Sequence, residues 1–103
     1  MPEIPVNLNI ASRTLTMFFN QEQPVHNAML AELSQSGTYE KATQLFLFNV
    51  LRAGDTFVDV GAHIGYFSMI AAAIVGEDGK VVSVEPTDEN FVQLQRHIDE
   101  NNL

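Results

Sequence analysis

The sequence predicts an α/β fold: the opening half of a doubly wound parallel sheet, preceded by a β-hairpin and helices. Three features carry that reading. Two short, nearly continuous apolar runs, TFVDV at residues 56–60 and KVVSV at residues 80–84, have the character of parallel strands. A glycine-flanked helical stretch separates them and a second amphipathic stretch follows, in the order of a right-handed crossover plus the next helix. Ahead of these, residues 6–19 alternate apolar and polar with a period of two.

The elements follow in chain order. Val6, Leu8 and Ile10 alternate with Asn7 and Asn9, and Leu15, Met17 and Phe19 resume after Ala11-Ser12-Arg13, which reads as a hairpin with one buried face. Pro24 opens a helix in which Val25, Met29 and Leu33 recur at helical spacing, and Ser36-Gly37 closes it. A second helix is expected from Tyr39, with Ala42, Leu45, Phe46 and Asn49-Val50 forming a broad apolar stripe and Gly54-Asp55 as its turn. The run TFVDV is expected to be covered on both faces. GAHIGYFSMIAAAIVG then supplies a small-residue helix ending at Gly76, and Glu77-Asp78-Gly79 turns the chain into KVVSVEP. The last helix places Phe91, Leu94 and Ile98 on one face, with Thr87 or Asp88 as N-cap. A third strand is due where the chain stops, so the Rossmann-like sheet is expected to be incomplete. The expected division is residues 1–37, a hairpin and helix, and residues 38–103, the first half of a nucleoside-binding unit.

With 103 residues the chain suits one small domain. It has no cysteine, which removes disulfides and thiolate chemistry and favours a cytoplasmic address. No apolar run is long enough for a bilayer, so no membrane association is expected. The net charge of −8 is uneven. Up to Ala53 four acids face three bases, whereas from Gly54 onward nine acids face only Lys80 and Arg96. Such a surface repels phosphate backbones and argues against nucleic acid as a partner.

Two of those acids stand at strand tips. Asp59 precedes the loop Gly61-Ala62-His63-Ile64-Gly65, and Glu85 ends the second strand, 20 residues beyond Gly65. In doubly wound sheets ligands bind beyond the carboxyl ends of the strands, where a bare backbone admits close approach. A carboxylate at the position of Glu85 can accept both hydroxyls of a ribose. The loop lacks the middle glycine of a dinucleotide fingerprint, having His63 there, and no Gly-Lys-Ser/Thr follows for a triphosphate. Asp59 would repel a pyrophosphate and attract an ammonium or sulfonium. A cationic nucleoside is the expected ligand.

The stretch Val58-Asp59-Val60-Gly61-Ala62-His63-Ile64-Gly65-Tyr66-Phe67-Ser68 resembles motif I of class I S-adenosylmethionine-dependent methyltransferases, with its nearest likeness to the FkbM-type family. Val82-Ser83-Val84-Glu85-Pro86 is similar to motif II of that fold, and Tyr39-Glu40 to that family's lead-in helix. The resemblance implies S-adenosyl-L-methionine as cofactor. Asp59 would face the methionine amino group, and Gly61 and Gly65 would border the methionyl and ribose parts. Ala62 and His63 would line the site, Glu85 would bind the ribose, and Pro86 and Thr87 would lie beside the adenine. It also implies a small-molecule or glycan oxygen as methyl acceptor.

No residue suggests itself as a general base, and the isolated chain, as a fragment, is expected to catalyse poorly. His26 is expected at a helix start and His97 on a solvated face, while Tyr66 and Phe67 are expected to pack in the core. Histidine spacing offers no metal site. Two other classes stay open: an NAD(P)-binding oxidoreductase domain, and an interaction module that self-associates through an open sheet edge.

Overall fold

A computed structural model describes residues 3–103. Strands β1 (Glu3–Ile10) and β2 (Arg13–Asn20) pair antiparallel, with Val6 opposite Met17 and Leu8 opposite Leu15. They are joined by Ala11 and Ser12, both at positive φ (49° and 66°), the hand that matches the twist of a two-residue hairpin. Helices α1 (Pro24–Ser36) and α2 (Lys41–Val50) follow. Strand β3 (Thr56–Val60), helix α3 (Tyr66–Val75), strand β4 (Lys80–Val84) and helix α4 (Asp88–Glu100) complete the order. β3 and β4 are parallel, with Asp59 beside Ser83 and Val60 beside Val84.

The predicted α/β class is therefore the observed one, an incomplete Rossmann-like sheet with a hairpin before it. Its core lies where the hairpin meets α1 and α3. Leu8, Ile10, Leu15, Met17 and Phe19 close over Met29 and Leu33 on one side and Ile64, Met69, Ile70 and Ala73 on the other. This single cluster runs across the expected boundary at residue 37.

Three expectations are corrected. First, the parallel sheet is covered on one face only. Phe57, Asp59, Val81 and Ser83 point inward, while Val58, Val60, Val82 and Val84 are exposed, Val60 by 78%. Each half-exposed valine forgoes about 1 kcal/mol of burial. Second, α2 buries Gln44 and Leu47 and turns Leu45, Phe46 and Val50 outward, because the Tyr66 hydroxyl draws Gln44 in through a 2.6 Å hydrogen bond. Val25 of α1 is likewise exposed, and His26 is buried in its place with Nδ1 accepting the Asn20 amide at 2.7 Å.

The third correction concerns α4, which buries Leu94 and His97, together with its C-cap Asn101, and leaves Phe91 half exposed. Its polar side chains complete the free edge of β2. The Gln93 amide donates to the Phe18 carbonyl at 2.6 Å, and His97 Nε2 accepts the Phe18 amide at 2.9 Å. Asn101 accepts from the Thr16 amide (2.7 Å) and donates to the Thr16 carbonyl (2.8 Å). Residues four apart on a helix rise about 6 Å and residues two apart on a strand about 7 Å, so His97 and Asn101 keep step with Phe18 and Thr16, while Gln93 takes the remaining carbonyl of Phe18. Arg96, paired with Glu3, lies 3.9 Å above the Phe18 ring.

Candidate functional site

β3 leads straight into the glycine loop, and the loop remains attached to β4. The amides of Gly61 and Ala62 both donate to the Val84 carbonyl, at 2.8 and 3.0 Å. Gly61, His63 and Gly65 all have positive φ (77°, 54° and 100°), so the chain reverses tightly before α3.

The two glycines serve different ends. A Cβ on Gly61 would meet nothing within 4 Å, so its bare backbone faces open space. A Cβ on Gly65 would stand 2.5 Å from Leu94 Cδ1, so its missing side chain admits α4. Gly65 was expected to border a ligand, but it is buried and lies outside the cleft described next.

That cleft, of about 320 Å³, opens over Gly61 and is lined by Val25 and Met29 of α1, Tyr39 and Glu40, residues 59–64, and Tyr66 and Phe67. Its volume falls in the lower range of small-molecule sites, roughly 300–1,000 Å³. Tyr39, Tyr66 and Phe67 stack edge-on or tilted, 5.1–6.2 Å apart. Tyr66 is both core and wall: burial, first of all, pushes its phenol pKa up, so it stays a neutral donor to Gln44. A second hollow of about 360 Å³ lies between α3, β4 and the end of α4, but no strand-tip acid converges on it.

The two strand-tip acids are held differently, Asp59 by helix α3 and Glu85 by the loop. Asp59 Oδ2 accepts from Ser68 Oγ at 2.7 Å, and that hydroxyl also meets Ser83 Oγ at 2.6 Å, which ties β3, α3 and β4 together beneath the cleft. Glu85 reaches back: Oε1 accepts the His63 amide (2.8 Å), and Oε2 accepts the Thr87 amide (3.0 Å) and Asn90 Nδ2 (3.5 Å). Desolvation raises the Glu85 pKa, but the hydrogen bonds from His63, Thr87 and Asn90 outweigh it and hold the carboxyl below its ordinary value. Glu85 is thus an anion whose Oε1 keeps one free acceptor site and whose longest bond, to Asn90, is 3.5 Å. Glu85, exposed Pro86 and Thr87 lie outside the cleft wall, while Asp59, Gly61, Ala62 and His63 form part of it.

His97, unremarkable in the sequence, enters this region from below. Its Nδ1 lies 2.6 Å from the Ile64 carbonyl, inside the glycine loop. Among the described residues no three of His, Cys, Asp or Glu cluster as metal ligands, and no helix is long and apolar enough to cross a membrane.

The parallel strand pair thus carries a glycine corner that is open above Gly61, with Asp59 near the tip of one strand and Glu85 just past the tip of the other. Residues 9–103 match the family model of protein-L-isoaspartate(D-aspartate) O-methyltransferase (PCMT), and the chain belongs to that family. The match supports S-adenosylmethionine-dependent methyl transfer in general; it does not support the FkbM-type family in particular. No curated protein and no solved structure matches the chain.

Proposed function

We propose that the corner at Gly61 binds S-adenosyl-L-methionine for methyl transfer to a carboxylate oxygen. The open backbone at Gly61 carries the reading, since at φ 77° it presents a corner without a side chain to the cleft. Asp59 and Glu40 in the cleft wall suit the cationic methionyl end, and the aromatic group of Tyr39, Tyr66 and Phe67 suits a sulfonium. Glu85 takes the ribose hydroxyls, with Ala62 and His63 lining the site and Pro86 and Thr87 beside the base. When bound, the cofactor supplies an electrophilic methyl group. The residues here hold and orient it, and proximity and alignment supply much of the acceleration.

The acceptor follows from the family description, which names an isoaspartyl methyltransferase. It replaces the sugar or small-metabolite hydroxyl expected from the sequence. A carboxylate is already ionised at neutral pH, so its methylation needs no general base. That accords with a cleft in which no residue stands out as one. Calorimetric titration with S-adenosylhomocysteine tests the cofactor site. Glu85→Gln is expected to weaken binding on the order of ten- to a hundredfold, the loss of charge-assisted bonds to the ribose. Unchanged affinity, or binding of NADH instead, counts against it.

A second reading rests on the two-strand β3–β4 sheet, whose outer sides carry no further strand among the described residues: pairing of copies through the open sheet edge. Sedimentation across a concentration series tests it, and a monomer throughout excludes it.

A further inference from the structure

We propose that His97 is a positioning residue for the cofactor corner: a neutral imidazole, protonated on Nδ1, that ties the Ile64 carbonyl of the glycine loop to strand β2. The inference rests on the reading of that corner as the cofactor site.

His97 is fully buried, and both ring nitrogens are engaged. The Phe18 amide is a donor, so Nε2 must accept; the proton therefore sits on Nδ1 and is donated to Ile64. The tautomer is fixed by its neighbours. A second proton would set two N–H groups against each other at Phe18, in a fully buried site. The charged groups that act on it are Arg96 on α4 and Glu3 on β1, while Arg13 on β2 binds the nearby Asn101 carbonyl. Glu3 is engaged by Arg96. Burial, above all, keeps the ring's pKa below the ordinary histidine value, although the Ile64 carbonyl works the other way.

The arrangement makes one side chain responsible for two joints. Through Nε2 it docks the hairpin edge, and through Nδ1 it fixes a carbonyl one residue from His63, whose amide Glu85 holds. Loosening the loop joint frees the frame on which Gly61 and Glu85 are set.

The two joints can be cut separately. An asparagine amide reaches about as far as Nδ1, and a glutamine amide about as far as Nε2. His97→Asn is expected to keep the Ile64 contact, with amide exchange at His63 and Gly65 and affinity for S-adenosylhomocysteine within about twofold of wild type. His97→Gln is expected to keep the Phe18 contact and speed exchange at His63 and Gly65 by about five- to tenfold, one neutral hydrogen bond's worth, with a like loss of affinity. In the unmodified protein, ¹⁵N spectra should show a protonated Nδ1 and a bare Nε2 that do not titrate around pH 6.5. Equal effects of the two variants on loop exchange, no effect of either, a proton on Nε2, or an ordinary titration overturns the proposal. If the wild type binds no S-adenosylhomocysteine, the cofactor reading fails, while loop exchange still decides the role of His97.

Discussion

Replacing each loop glycine by alanine separates packing from ligand access. At Gly65 the penalty has two sources. Alanine at φ 100° costs about 1–2 kcal/mol in backbone strain. Its Cβ would also stand 2.5 Å from Leu94 Cδ1, and Leu94 is only 2% exposed, so the neighbour has little room to move. Overpacking of that kind costs about 1–3 kcal/mol, for a total of about 2–5 kcal/mol. At Gly61 only the backbone cost remains, about 1–2 kcal/mol at φ 77°, because nothing lies within 4 Å. Urea unfolding reads the difference: with a slope near 1 kcal/mol/M for a small domain, Gly65→Ala should lower the midpoint by about 2–5 M and Gly61→Ala by about 1–2 M. Adding Leu94→Ala to Gly65→Ala should recover the overpacking share as a coupling of about 1–3 kcal/mol. Equal losses at the two glycines, or no coupling to Leu94, would refute the division of labour between them.

Three further outcomes follow from the packing. Tyr66→Phe leaves Gln44 Oε1 and the Tyr39 amide without their partner and should cost about 1–3 kcal/mol in the same unfolding assay; a neutral change would contradict the anchoring of α2. His26 and His97 have folded pKa values below 6.5, chiefly through burial, so the unfolded chain takes up protons first. Their stability contribution is full above pH 6.5 and is lost as pH falls, by up to about 1.4 kcal/mol per pH unit for each; equal stability at pH 7 and pH 5.5 would contradict it. Val58→Thr with Val60→Thr should change monomer stability by less than about 0.5 kcal/mol, because both side chains are largely exposed; a loss of several kcal/mol would mean the face is covered.

The hairpin was legible because every second residue from Val6 to Ile10 and from Leu15 to Phe19 is apolar, and a half-buried strand needs that period. The crossover and Glu85 were legible because chain order fixes which residue follows the second strand. What escaped is α4. His97 and Asn101 are polar, and polar residues four apart on a helix look like a solvated face. Here they are buried because β2 has an edge whose amides and carbonyls need partners, and nothing in the helix itself announces that edge. The inner face of α2 escaped for a similar reason: one hydroxyl from α3 decides which side turns in. The outer valines of the parallel pair were read as buried from composition alone, but cover comes from neighbours and not from the strand's own residues. The loop likeness pointed to the class correctly, while the family emerged only from a match over residues 9–103.

Amide shift mapping on addition of S-adenosylhomocysteine asks most directly whether the strand-tip corner is an adenosyl-binding site. Saturable shifts at Gly61, Ala62, His63 and Thr87, absent in Glu85→Gln at the same concentration, are the expected result. A spectrum unmoved at these four amides, or one moved equally by NADH, would contradict it.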